Sequence, residues 1–348
     1  MRKIKIFIIL ISIMLFAGIT GCSATKDGKA DPSPVLNHFE PITDIEEGRR
    51  NIYLIVKIVD SGYWQVIING AMDAGRAYGV NVYCGGTSME TDWKGQQVLI
   101  NEALEAKADA VILAPDDSVE LAYDIERIHD MGIPIILIDT AANTNSFDIC
   151  YMTDNLLAGQ NAAHEMLDQL HDAGHTDEQA LNVGIMVGQS TSQTINERLA
   201  GFFQYWTKNA PDNWTISTDI MNCNGNIDLG GEMARDFLKN NPDTAGLYAT
   251  NNGPTRALCQ TVAETGRSDV VVVGFDFSDE MKSLIESPDF RASTMLQRQY
   301  DMSYKGVMTA LDLLNHKQPD IKFEDTGIVT VNSDTLTDPD VVEVLKHN

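Results

Sequence analysis

Between residues 52 and 138 the chain alternates short apolar runs with segments of helical spacing. Ile52–Val59 is β-rich and apolar apart from Lys57. It is followed by Gln65–Tyr78, where Val66, Ile67, Ala71, Ala74 and Ala77 recur near the helical period. Gly79 stops that helix, and Val80–Cys84 reads as the next strand. Gln96–Ala106 then reads as helix, Ala108–Ala114 as strand, Val119–Met131 as helix ended by Gly132, and Ile133–Ile138 as strand. Strands whose apolar residues run on without alternation are buried on both faces, and the intervening helices supply the cover. The rhythm predicts a doubly wound parallel α/β sheet.

The rhythm returns later with different residues: strand Leu181–Val187, helix Gln193–Lys208, strand Thr244–Ala249, helix Thr255–Thr265 and strand Val270–Phe275. Ala108–Asp139 and Ala245–Asp276 correspond most closely. Each holds an apolar strand, a polar loop, a helix, a glycine, a second apolar strand and then aspartate. Two such halves imply two lobes facing each other. A length of 348 residues suits that division, at about 100–200 residues per domain.

The first residues read as a leader. Met1-Arg2-Lys3-Ile4-Lys5 is basic, Ile6–Phe16 is apolar except for Ser12, and Ala17-Gly18-Ile19-Thr20-Gly21-Cys22 follows. This is the order of a secretory signal, and its apolar run is short of the ~20 residues of a spanning helix. Ile19-Thr20-Gly21-Cys22 resembles the bacterial lipobox, which implies cleavage before Cys22 and lipid on that cysteine. The expected division is a signal peptide over 1–21 and an anchor and polar tether over 22–49. Lipid there would hold the protein at the extracellular face of the membrane without a spanning helix. Cys84, Cys150, Cys223 and Cys259 are widely scattered and read as buried free thiols, with a disulfide left open.

In doubly wound sheets, ligands bind beyond the carboxyl ends of the strands. Those positions hold Asp60-Ser61-Gly62-Tyr63-Trp64, Pro115-Asp116-Asp117, Asp139-Thr140, Gly188-Gln189-Ser190, Thr250-Asn251-Asn252 and Asp276-Phe277. Carboxylates, amides and hydroxyls make directed bonds to neighbouring hydroxyls, and an aromatic face suits the C–H side of a sugar ring. The mixture predicts a small polyhydroxylated ligand. Singly, the same Asn and Asp residues serve as turn and cap residues, and Tyr63-Trp64 serves equally as core or as a helix-start staple.

Enzyme chemistry finds little support. No Gly-rich phosphate loop follows a strand, Ser190 and Ser192 lack a nucleophile elbow, and His164-Glu165 has no second His at zinc-protease spacing. His171 and His175 read as a solvated helix end, and Asp116-Asp117 shows no matched acid and base environment. A formal charge of −25 repels phosphate backbones, so nucleic acid is not an expected partner. No cofactor or metal is expected.

Residues 50 to 335 resemble the type I periplasmic binding proteins of the ribose-binding, repressor-like superfamily. The motifs are Asp60-Ser61-Gly62-Tyr63-Trp64 with Asn69-Gly70-Ala71, Ile133-Pro134-Ile135 leading to Asp139, and Thr153-Asp154-Asn155 with Ala158-Gly159. Asn196-Glu197-Arg198 with Gly201-Phe202, Ala249-Thr250-Asn251, Val273-Gly274-Phe275-Asp276 and Gln297 complete them. The resemblance implies two lobes joined by three hinge crossings, near 154–155, 297–298 and 326–327. The lobes would be 50–154 plus 298–326 and 155–297 plus 327–348. It implies ligand contacts from Lys57, Ser61, Tyr63, Trp64, Asp139, Thr140, Arg198, Asn251, Asp276 and Gln297. Tyr63 and Trp64 would sandwich a sugar ring.

The chain departs from the family at three places. Thr140 stands where arginine often follows the aspartate, Lys57 stands where ribose binders carry a small polar residue, and no aromatic lies in Asn222-Cys223-Asn224-Gly225-Asn226. Lys57 has two readings, a ligand contact or a salt bridge to a neighbouring carboxylate. Arg198 reads as a ligand fork, or as an ion pair with Asp276 or Asp139. The implied protein is a monomeric, lipid-anchored extracellular binder of a monosaccharide, partnered by an ABC permease. The alternatives are a sensor module signalling to a membrane receptor or histidine kinase, and a binder of an autoinducer or polyol.

Overall fold

The computed structural model describes residues 38–190 and 192–347. Residues 1–21, expected to be a leader, and Cys22 lie outside the described residues. The chain runs β1 (Glu40–Pro41), β2 (Asn51–Ile58), α1 (Gly62–Tyr78), β3 (Asn81–Thr87), α2 (Trp93–Glu105), β4 (Ala110–Leu113), α3 (Ala122–Asp130), β5 (Ile135–Ile138) and β6 (Ile149–Met152). It continues through α4 (Asn155–Asp172), β7 (Leu181–Val187), α5 (Gln193–Asn209), β8 (Trp214–Ile216), β9 (Met221–Asn222), α6 (Ile227–Asn240), β10 (Thr244–Ala249), α7 (Asn252–Thr265), β11 (Val271–Phe275), α8 (Asp279–Ile285) and β12 (Ala292–Gln297). The last elements are α9 (Gln299–Leu314), β13 (Phe323–Asp325), β14 (Ile328–Val331) and α10 (Pro339–Leu345).

Two sheets result. The first has the order β1-β3-β2-β4-β5-β6-β13 and is parallel except for β1. The second has the order β14-β12-β11-β10-β7-β8, with β9 also on β7, and is parallel except for β14. Burial on both faces follows from the apolar runs. In β2, Ile52, Leu54 and Val56 join the core with residues of α1 and α9, while Tyr53 and Ile55 join the opposite core with residues of α2 and α3. Among the described residues no helix is long and apolar enough to cross a membrane.

After β6 the chain enters α4, which packs on α5 and on β10, β11 and β12 of the second sheet. After β12 it enters α9, which packs on α1 and on β4, β5 and β6 of the first. After β13, paired with β6, it passes to β14, paired with β12. The α4–α5 contact depends on two glycines. A Cβ at Gly159 would lie 2.1 Å from the Arg198 carbonyl oxygen, and one at Gly201 would lie 2.0 Å from that of Leu156.

Several expected boundaries move. Residues 38–49, read as tether, pack on the body: β1 pairs with Tyr83 and Cys84, Phe39 meets Tyr53 edge-on at 4.7 Å, and Ile42 donates its N–H to Val82. The strand edge at β3 has open backbone groups and an apolar neighbour, and this segment covers both. The helix expected from Val119 begins at Ala122, because the Asp117 carboxylate accepts the N–H groups of Val119 and Glu120 and shapes a turn there. All four described cysteines are free and buried.

Candidate functional site

The strand ends of both sheets converge on one cleft. Its lining comes from β2 and the start of α1 (Lys57, Tyr63, Trp64), the loop before α2 (Glu90) and the end of β5 (Asp139). From the second sheet come Gln189, Ser192, Thr194, Ile195 and Arg198 around the start of α5, Asn251 and Asn252 after β10, Asp276 after β11, and Gln297 at the end of β12. The space is about 450 Å³, its open mouth included.

Asp139 organises the first side. Its backbone has φ 64°, a left-handed conformation that aspartate tolerates better than most residues. Oδ1 accepts from the Tyr63 hydroxyl. Oδ2 accepts from Thr140 Oγ1 at 2.7 Å and stands 3.2 Å from Lys57 Nζ. Burial alone would raise this carboxyl, but Lys57, the two hydroxyl donors and Arg198 outweigh it and hold it below the usual range. Burial alone would likewise lower Lys57, yet Asp139, Glu90 and Asp116 carry it above its ordinary value. The pair is therefore ionised. Burial and then the Asp139 charge push Tyr63 far up, so it stays a phenol donor.

Arg198 anchors the second side. It is 2 % exposed, Nε donates to Asn155 Oδ1 at 2.8 Å, Nη1 donates to the Thr250 carbonyl at 2.9 Å, and the guanidinium lies 4.0 Å from the Phe275 ring centre. These partners hold the planar fork in place and are all neutral. Gln297 accepts from Thr153 Oγ1 and donates from Nε2 to Asp276 Oδ1, each at 2.9 Å, so it ties the chain crossing after β6 to the cleft. Burial pushes Asp276 up to about 6, against the pull of Arg198 and the Gln297 hydrogen bond. The two sides touch where Thr194 Oγ1 donates to Thr140 Oγ1 at 3.3 Å.

The sequence profile described as periplasmic binding protein domain matches residues 52–318. The chain belongs to the periplasmic binding protein family. It is a type I member, with the two-sheet α/β fold of its structural neighbours. It is 27% identical over 261 residues to the D-ribose/D-allose-binding protein of Pseudomonas aeruginosa, covering 73% of this chain and 77% of that one. It is 21% identical over 316 residues to the ribose import binding protein of Bacillus subtilis, covering 91% and 94%. The crystal structure of a carbohydrate transporter solute-binding protein from Agrobacterium radiobacter in complex with D-arabinose superposes with a TM-score of 0.80. It shares 27% identity and covers 86% of this chain and 99% of that one.

In this periplasmic binding protein the cleft brings together Lys57, Tyr63, Trp64, Asp139, Arg198, Asn251, Asp276 and Gln297. Two expected contacts fall outside the lining. Ser61 is the N-cap of α1, half-buried, with no side-chain cap bond. Thr140 is 1 % exposed, and its hydroxyl is taken up by Lys57 (2.9 Å), Asp139 and Thr194. Lys57 meets both of its readings, since it pairs with Asp139 and still lines the cleft. The ion pair considered for Arg198 is absent among the described residues.

Glu90 was missed. It follows β3, which runs through Gly85-Gly86 to Thr87, whereas the strand was read as ending at Cys84. Gln189, Ser192 and Asn252 sit in or beside strand-end segments already singled out, and that was the available signal. His175 lies beyond the end of α4, and His171 is an exposed residue that contacts Asp177 at 3.0 Å and Trp214 at 4.7 Å, so the two do not share a helix face.

Proposed function

We propose that this binding protein captures a monosaccharide between its lobes and delivers it to a membrane permease of an ABC transporter, while held by lipid on Cys22 at the extracellular face of the membrane. The lobes are the two sheets with their helices, joined by the crossings after β6, β12 and β13. The observation that carries the reading is the cleft itself. Tyr63, Trp64 and Asp139 face Arg198, Asn251, Asp276 and Gln297 across it, a few placed polar groups beside aromatic side chains, as in small-molecule sites. Relatives named for ribose and allose, and a solved neighbour in complex with D-arabinose, support the sugar class. Hydroxyls of a sugar would join carboxylate, amide and guanidinium groups from both sides, and such a ligand favours the closed arrangement by its differential affinity for it. No catalytic step is involved.

The test is a thermal-shift screen of the chain from Ser23 onward against pentoses, hexoses, polyols, nucleosides and signalling diols. A ligand that binds only the folded state raises the melting temperature. A shift with one monosaccharide, and loss of its uptake when the gene is deleted, is the expected result. A flat response to sugars overturns the ligand class. Binding with uptake intact transfers the role from delivery to sensing. Cys22→Ser is expected to release the protein into the medium.

A further inference from the structure

The charged groups lining the cleft do not cancel. Glu90, Asp139 and Asp276 face Lys57 and Arg198. Lys57 is matched by Asp139 at 3.2 Å, and the Arg198 charge acts on Asp276. Glu90 is left over. Its Oε1 accepts the indole N–H of Trp64 at 3.0 Å, and no described residue donates a hydrogen bond to Oε2. Its field reaches Lys57 on its own side and Asp276 on the other. Behind Lys57 stands a further carboxyl, Asp116, which is 2 % exposed and has neither oxygen hydrogen-bonded. Burial pushes Asp116 up to about 8 and keeps it largely protonated, so among the described residues Glu90 is the one lining carboxylate near β2 without a balancing cation.

We propose that Glu90 sets the charge class of the ligand: its open carboxylate oxygen takes a donor from the ligand beside the Trp64 wall, favouring a sugar that carries an ammonium and rejecting one that carries a carboxylate or phosphate. The proposal rests on the sugar-binding reading and narrows it. A neutral hydroxyl gains a charge-assisted hydrogen bond from Glu90, and an ammonium gains that bond and the attraction of opposite charge. An acidic sugar brings a like charge beside Glu90 in a half-enclosed cleft, where repulsion is screened less than in solution. A purely positioning role, in which Glu90 only orients the indole, predicts no dependence on ligand charge.

The experiment is calorimetric titration at pH 7.5 and fixed ionic strength on the wild-type chain and on Glu90→Gln, which retains an oxygen for the indole N–H. The panel is D-ribose, D-allose, D-glucose and D-galactose, with glucosamine, galactosamine, glucuronate and galacturonate. Glu90→Gln is expected to lower the affinity for the amino sugars relative to the neutral ones at least fivefold, and to raise that for the uronates at least fivefold. Glu90→Asp, which keeps the charge, is expected to keep the wild-type order. Unchanged ratios in Glu90→Gln overturn the assignment, as does a panel in which only neutral sugars bind to both proteins. Either leaves the sugar reading standing. A panel in which nothing binds overturns the sugar reading and the assignment together.

Discussion

Asp139 and Asp276 end matching strands, β5 and β11, and share a left-handed backbone, with φ 64° and 67°. The conformation turns the chain out of each sheet where the cleft begins. It is uncommon for a non-glycine residue and clusters at functional sites. The environments then diverge. Asp139 is met by an ammonium and two hydroxyl donors, whereas Asp276 has the Gln297 amide and the more distant Arg198 charge. One repeated sequence pattern thus supplies an ionised carboxylate on one side and a titratable one on the other.

Asp139→Ala removes the partner of a buried lysine. Breaking a buried pair from one side costs about 3 kcal/mol or more of stability, and loss of ligand hydrogen bonds costs a further ~1–3 kcal/mol of affinity. The double variant Lys57→Met with Asp139→Asn is expected to recover stability, since no charge is then left unpaired, but not affinity. Urea unfolding and ligand titration separate the two. Equal losses in the single and double variants would dissolve the pair as a unit.

Gly159→Ala and Gly201→Ala test how the α4–α5 contact places Arg198. Each added methyl would meet a backbone oxygen, at 2.1 and 2.0 Å, and backbone cannot step aside as a side-chain tip can. Relief requires α5 to shift away from α4, and Arg198 rides on α5 while bonding Asn155 at the start of α4. The expected loss is about 3 kcal/mol of stability and at least tenfold in ligand affinity. Thermal unfolding and titration check it, and full affinity in a folded variant would show that the helices move without carrying Arg198.

The central strands were legible because both of their faces are apolar, as in β2, β4, β5, β10 and β11, whereas the edge strands β1 and β13 are short and exposed and carry no such pattern. The cleft was legible for the same reason, since strand ends mark it. Glu90 was hidden by Gly85 and Gly86, which lack the side chains that signal a strand but are packed closely against Leu99, Phe39, Val56 and Val59. Thr140 stands beside Asp139 in the sequence, but only the fold shows that its hydroxyl turns toward Lys57 and Thr194. The tether boundary was set too late because Phe39 and Ile42 lie among polar residues, and only the exposed edge of β3 shows what they cover.

Thr194→Val tests the direct contact between the two sides. Thr140 Oγ1 already donates to Asp139, so Thr194 supplies an extra hydrogen bond that forms only when the lobes are together. Its loss is expected to weaken ligand binding by ~0.5–1.5 kcal/mol and to leave the unfolding midpoint nearly unchanged. Small-angle scattering of the ligand-free protein is expected to register a larger radius of gyration. An unchanged radius together with unchanged affinity would remove the contact from the closing equilibrium.

Acidity acts on stability and on binding in opposite directions. Asp276 is pushed from 3.8 up to about 6 in the folded chain. Between those values the folded state binds more protons than the unfolded one, so stability falls as pH rises through the window and is flat above it. That displacement corresponds to roughly 3 kcal/mol. Asp116, pushed up to about 8 by burial, extends the same slope toward pH 8. Asp139 is lowered and acts the other way, withdrawing stability only as pH drops through its depressed value. Hydroxyls of a sugar, however, need Asp276 as an acceptor, so affinity is expected to fall as pH drops below about 6 while the ligand-free protein grows more stable. Asp276→Asn is expected to make the stability slope shallower between pH 4 and about 6, leaving the part above it unchanged, and to leave affinity low and insensitive to pH from 5 to 7. Asp116→Asn is expected to raise the melting temperature at pH 8 and progressively less toward pH 4, with the pH dependence of binding retained. Melting temperatures and titrations across pH 4–8 decide it. Parallel rather than opposed slopes would mean that the carboxylate of Asp276 serves the fold and not the ligand.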